Sequence, residues 1–244
     1  MREFAEETKV FETKPAEPEE QAAKLVPNPI FRYSDEERFI PDATLWVWTR
    51  DARPVAFQKV EGLNRGGGQM WTICFASLSE NLIKAEWREG NRYAARTPGV
   101  KFRPIPNAEP PADKARARTV QLNRLKDRFT GRLGVDAEGK GGAETRTIAK
   151  AIFEYVDPGS KLPRGAIFSM SSTGTNPDLL LLIEARPEGS GDGKLQWQYA
   201  HARMTSNSLI VRLDDAEVWS EAAVSVQNAV FDNWTFYFLT REFK

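Results

Sequence analysis

Two stretches of this chain, residues 30–93 and 152–219, read as diverged copies of one unit, and that duplication limits the fold more than any other feature. Ile30-Phe31-Arg32-Tyr33-Ser34-Asp35 aligns with Ile152-Phe153-Glu154-Tyr155-Val156-Asp157 at a spacing of 122, and Pro41 meets Pro163 at the same spacing. The spacing becomes 123 where Pro54 meets Pro177 and Glu61 meets Glu184. It becomes 126 where Trp71 meets Trp197, Ala76 meets Ala202 and Asn81 meets Asn207. The increases fall inside Gly- and Asn-rich segments, where insertions cost least.

Each copy reads as a meander. In the first, Thr44-Leu45-Trp46-Val47-Trp48 is strand-rich, Arg50 to Pro54 has turn chemistry, and Val55 to Val60 returns. Strands over Met70–Ser77, Leu82–Trp87 and Arg92–Tyr93 follow, and the second copy repeats the order. Connections this short force antiparallel neighbours. The expected division is an acidic N-terminal tail over 1–27, β-unit 1 over 28–95, a Pro-rich linker with a basic helix over 96–145, β-unit 2 over 146–220, and a C-terminal strand over 221–244. The helix is expected over 113–133, with Leu122, Leu125 and Phe129 on its apolar face. The strand at Trp234–Leu239 has no counterpart in the first copy. The expected fold is mostly β (β-rich α+β). Two pseudo-symmetric antiparallel β-meander units, each with one apolar face, pack as a sandwich or closed barrel with one inserted helix.

Composition narrows the chemistry. With 34 basic and 34 acidic residues the chain has no net charge, so long-range steering of nucleic acid is not expected. One cysteine, Cys74, and one histidine, His201, leave no intrachain disulfide and no Cys/His metal site. Cys74 reads as a small buried hydrophobe. No cofactor motif is present: the glycine-rich loop Asn64–Gly68 lacks the Gly-Lys-Ser/Thr ending and the following helix of a phosphate loop. No apolar run is long enough for a transmembrane helix. The N-terminus lacks the apolar stretch of a signal peptide, and a cytoplasmic location or export with the signal removed both stay open.

The candidate sites come from comparing the copies. His201 stands where the first copy has Phe75, and Arg203 stands where it has Ser77. Strand alternation puts Trp197, Tyr199, His201 and Arg203 on one face, and with Trp71 these form the candidate ligand-binding set. Glu61 and Glu184 sit at equivalent positions. With His201 they would be the acid/base groups of a hydrolase or isomerase if two of them faced one cavity. A bridging role within each sheet is the plainer reading. Asp35 and Asp157 fit side-chain-to-backbone turn bonds. Trp46 and Trp48 share a face, and exposed tryptophans would suit a carbohydrate-binding module, whereas buried ones fill a core. The helix carries seven basic residues against Asp113 and Asp127, so it is the one segment where nucleic acid or an anionic partner could dock.

Several segments resemble an uncharacterised bacterial family with a duplicated β-meander unit and no assigned activity. They are Arg32-Tyr33-Ser34-Asp35, Asp42-Ala43-Thr44-Leu45-Trp46, Gly174 to Ala185, and Trp197 to Met204. The resemblance implies the repeat boundaries and no mechanism. In the absence of a nucleophile–base set, the expected function is a non-catalytic protein that binds a partner or a ligand, a small molecule or glycan included, or self-associates as an assembly component.

Overall fold

The computed structural model describes residues 1–14, 17–65, 68–87, 90–189, 193–224 and 233–239. Strands hold 55% of the residues and helices 10%, the β-rich class expected. The first unit begins with α1 (Arg2–Glu7), β1 (Lys9–Lys14), β2 (Glu17–Ala22) and β3 (Lys24–Leu25). It continues with β4 (Phe31–Asp35), β5 (Ile40–Arg50), β6 (Arg53–Arg65), β7 (Gly68–Ser77), β8 (Leu82–Trp87) and β9 (Asn91–Ala94). A two-residue strand, β10 (Arg103–Pro104), lies in the linker. The second unit is α2 (Ala115–Lys126), β11 (Phe129–Val135), β12 (Gly141–Thr147), β13 (Phe153–Val156), β14 (Pro163–Ser171), β15 (Leu179–Pro187), β16 (Leu195–Arg203), β17 (Leu209–Leu213) and β18 (Ala216–Glu221). β19 (Trp234–Leu239) follows it. Among the described residues no helix is long and apolar enough to cross a membrane.

Residues 1–27 are not a loose tail. They supply the first unit with a helix and three strands: α1 and β1 match α2 and β11 of the second, and β2 with β3 together match β12. Val10 pairs with Ala85 as Gly131 pairs with Val211, and Lys24 pairs with Thr49 as Arg146 pairs with Ser171. β1 lies inside the four-stranded sheet β2-β1-β8-β9, with Val10 buried. The segment looks polar because one of its inward positions is Glu12, a carboxylate that accepts hydrogen bonds from Arg50, Ser79 and Asn81. Those bonds and the Arg50 charge hold its pKa below the ordinary value against the opposing effect of burial. The helix expected over 113–133 stops at Lys126. Phe129, Leu133 and Val135 alternate inward on β11, where pairing with β17 prevails over a helical spacing that Phe129 also fits.

Each central sheet buries both faces, not one. Leu45, Val47, Phe57, Cys74 and Ala76 of the first unit meet Ile167, Leu180, Leu182, Ala200 and Ala202 of the second in the core between the units. The alternate residues point the other way. Trp46, Trp48, Ile73 and Phe75 pack on α1, β1, β8 and β9, while Phe168, Leu181, Trp197 and Tyr199 pack on α2, β11 and β17. Burial on both sides explains the unbroken apolar run Leu179 to Ile183, which has no polar alternation. At about 25 cal/mol per Å² of apolar area, these three cores supply the main stabilisation.

The units also exchange edge strands. β10 follows the first unit but pairs with β16 of the second, and β19 follows the second unit but pairs with β7 of the first. β10 is therefore the counterpart of β19, a relationship hidden in the sequence because only two residues of it stay in register.

Candidate functional site

The glutamates Glu61 and Glu184 face the layer between the units. Glu61 accepts from Tyr33 Oη at 2.6 Å and Thr72 Oγ1 at 2.8 Å, and Lys59 Nζ lies 3.9 Å away. Glu184 accepts from Tyr155 Oη at 3.1 Å, Arg53 at 2.9 Å and Arg164 at 3.0 Å. Tyr33 and Tyr155 are themselves repeat equivalents, so each unit carries the same buried Tyr–Glu pair. Burial, with the adjacent carboxylate second, raises both phenols well above their ordinary pKa and keeps them protonated donors. Two basic side chains beside these pairs tie the units together. Arg53 of the first unit bonds Glu184, and Lys59 donates to Asn176 Oδ1 at 2.8 Å, to Pro177 O and to Met204 O at 3.2 Å. The two carboxylates share no partner among these bonds. Glu184 pairs with Gln198 in the ladder, so it lies on the opposite face of the sheet from His201, whose neighbour there is Leu181.

His201 lies on the face turned toward the second unit's own outer strands. Its ring stacks on Trp219 at 5.3 Å and 16°, and meets Phe129 at 5.6 Å and Tyr199 at 5.4 Å. The first unit holds the same arrangement: Phe75 stacks on Tyr93 at 6.1 Å and 11°, with Trp87 at 5.0 Å. Tyr93 and Trp219 are related by the same spacing of 126 as Phe75 and His201. In the first unit the stack is a sealed core, with Phe75 and Tyr93 each 1% exposed. In the second, His201 is 7% exposed and Trp219 only half-buried. Both imidazole nitrogens of His201 are buried without a hydrogen-bond partner among the described residues. Burial first, and Arg103 second, push its pKa down to about 3, so the ring is neutral at physiological pH. Buried polar groups are nearly always satisfied, so this orphan needs a reason.

A cleft of about 360 Å³ lies against this stack. Its floor is Tyr199, Ala200, His201 and Arg203 of β16, one wall is Val218 and Trp219 of β18, and the rim is Pro98 to Lys101, Arg103 and Asn233. The cleft exists because the exchanged strand leaves the sheet. β19 pairs with β7 through Thr235↔Phe75 and Trp234↔Ala76, whereas the β10 pairing stops at Arg103↔Tyr199, two residues short of His201. The preceding residues are held elsewhere: Gly99 and Val100 both donate to Ser79 O, at 2.8 and 3.3 Å. A Cβ at Gly99 would stand 2.0 Å from Ser77 O, so only glycine allows that approach. The curled sheet thus leaves a seam between β16 and β18, bridged at one point by Arg103 donating to Val218 O at 3.0 Å.

The seam is cationic. Lys101, Arg103 and Arg203 line it, and among the described residues no acidic side chain does. Arg203 is committed to the carbonyls of Thr205, Asn207 and Ala222, with Glu221 3.8 Å away. Lys101 and Arg103 are exposed and have no carboxylate partner among the described residues. Of the sequence-predicted ligand set, Tyr199, His201 and Arg203 come together here. Trp197 lines a separate cleft of about 600 Å³ beside the prolines of the linker, and Trp71 packs on Phe4 in the first unit. Lys101, Arg103 and Trp219 were missed. The alignment of Tyr93 with Trp219 was the available signal for the last.

The tryptophans Trp46, Trp48, Trp197 and Trp234 are core residues, and Trp71 is only half-buried. On α2, Arg118 is buried against Ala112 O and Pro163 O, and Lys126 is buried beside Asp127. Lys114, Arg116 and Arg124 stay exposed. Asp157 accepts from the backbone of Gly159 and Ser160, and Asp35 from that of Arg38, the turn bonds expected. Cys74 lies in the inter-unit core, where burial pushes its thiol up to about 12. Compared with known proteins, the chain matches no family model, no curated protein and no solved structure, so the site rests on its own geometry.

Proposed function

We propose that the chain is a non-catalytic ligand-binding protein whose second unit holds a small molecule in the cleft at the β16–β18 seam. One observation carries the reading. The same aromatic stack occurs twice: the first unit seals it with Phe75 and Tyr93, and the second replaces Phe75 by an unsatisfied histidine beside an open, cation-lined cleft. A duplicated fold needs no such cleft for stability, since the sealed copy serves that purpose, and an orphaned imidazole costs about 1–3 kcal/mol. The cleft's size falls in the range of small-molecule sites.

The test is retention of small molecules from cell extract, read by mass spectrometry of the released ligand. The wild-type chain is compared with Val218→Trp, which fills the cleft from its half-buried wall. Thermal unfolding serves as the check on folding. The reading expects a compound retained by the wild type, lost in the variant and recovered chemically unchanged. Equal retention by both proteins, or none by either, would overturn it, and recovery of a transformed compound would point to catalysis instead.

A further inference from the structure

Building on that ligand-binding reading, we infer that the cleft takes a small planar carboxylate, its ring against Trp219 and its carboxylate between Arg103 and the His201 imidazole. Three features of the cleft converge on this class. The first is charge: among the described residues Lys101 and Arg103 are cations without a carboxylate partner and no acid lines the rim. A guanidinium offers several donors, and Arg103 spends one on Val218 O, so its remaining donors are free for a carboxylate.

The second feature is the orphaned ring. A neutral imidazole holds one N–H donor, and none of the groups packed on His201 accepts from it. Phe129, Tyr199 and Trp219 present ring faces and edges, Leu181 is apolar, and the nearby charged side chains Arg103, Lys101 and Arg203 are donors only. Glu221, the acid nearest this group in these contacts, lies at Arg203. No described residue supplies an acceptor, so a ligand in the cleft is placed to supply one, and an anionic ligand is favoured by the described charges lining the cleft.

The third feature is shape. Trp219 stands on the outermost strand, β18, and is the half-buried wall of the seam. One face of its indole covers His201, and a small rotation would open the imidazole to the cleft and leave the ring as a stacking surface. Volume sets the scale: about 360 Å³ admits a benzoate-sized molecule and excludes a folded partner.

Calorimetric titration of the full chain with benzoate, benzamide and inorganic phosphate tests the class. Benzoate should bind one per chain, with benzamide and phosphate each weaker by about tenfold or more, a difference of ~1.4 kcal/mol. Arg103→Ala should weaken benzoate by about tenfold and leave benzamide unchanged. Lys101→Ala, at an exposed position lining the cleft, gives a second reading should Arg103→Ala disturb the seam. Benzamide binding as tightly as benzoate, or benzoate indifferent to both substitutions, would overturn the assignment, as would absence of benzoate binding. Retention of an extract compound by wild type but not by Val218→Trp would still uphold the cleft itself, so the ligand class can fail while the ligand-binding reading stands.

Discussion

Replacing His201 by phenylalanine restores the residue that the first unit uses at the same place, and the structure sets both the sign and the scale of the result. At neutral pH the substitution removes two buried nitrogens without partners, a gain of about 1–3 kcal/mol. Phe75 already shows that a phenyl ring fits this stack. A second contribution appears on acidification. The folded pKa of His201, about 3, lies below the unfolded value of 6.5. A depressed histidine leaves stability complete above the unfolded pKa, and that stability is lost as pH falls from 6.5 toward 3, because the unfolded chain takes up a proton that the folded chain refuses. At pH 5 the wild-type loss from this residue is about 2 kcal/mol, from ~1.4 kcal/mol per pH unit. His201→Phe should therefore exceed wild type by about 1–3 kcal/mol at pH 7.5 and by roughly 3–5 kcal/mol at pH 5. Urea denaturation at the two pH values measures both, and the comparison cancels the carboxylates common to the two proteins. A variant less stable than wild type at pH 7.5, or an advantage that does not grow at pH 5, would refute the reasoning.

Three further substitutions probe the fold. Gly165→Ala places a methyl 2.4 Å from Tyr155 Oη and 2.8 Å from Ile183 O, so it should cost about 1–3 kcal/mol in denaturant midpoint, and a neutral effect would show that the Tyr155–Glu184 pair gives way easily. Lys59→Met strips three acceptors in the second unit, Asn176, Pro177 and Met204, of their buried donor. A loss of about 3 kcal/mol is expected, and a loss under ~1 kcal/mol would mean the units do not depend on this bridge. Val10→Asp buries a charge on the inner strand of the first unit's outer sheet. It should abolish cooperative unfolding of that unit by circular dichroism, whereas near-wild-type melting would return residues 1–27 to the status of a dispensable tail.

The strand order common to the two halves was legible because hydrophobic and turn residues recur at fixed spacing. The strands from Phe31 to Tyr93 and from Phe153 to Trp219 fall where alternation and turn chemistry put them. The upstream third of each unit was not legible. There Val10 takes the ladder position that Gly131 takes in the second unit, and Glu12 that of Leu133, so the backbone register is kept and residue identity is lost. Extending the spacing of 122 upstream to Lys24 and Arg146 would have exposed it, since both pair at the same rung. Half of the candidate site was legible. The replacement of Phe75 by His201 is visible in an alignment of the copies, whereas the cleft beside it arises from Gly99 and Val100 holding the linker on Ser79, a tertiary contact without a local signature. Which sheet face His201 occupies also needed the structure, because both faces of the central sheets are apolar.

Nuclear magnetic resonance titration of the single imidazole bears most directly on the claim that the second unit keeps a buried, unsatisfied histidine where the first has a sealed core. The account predicts that His201 in the folded protein stays neutral down to about pH 4, with its transition near 3 or hidden by acid unfolding, while the denatured chain titrates near 6.5. A folded-state transition between pH 6 and 7 would mean the ring is solvated or paired with a carboxylate, and would contradict the account.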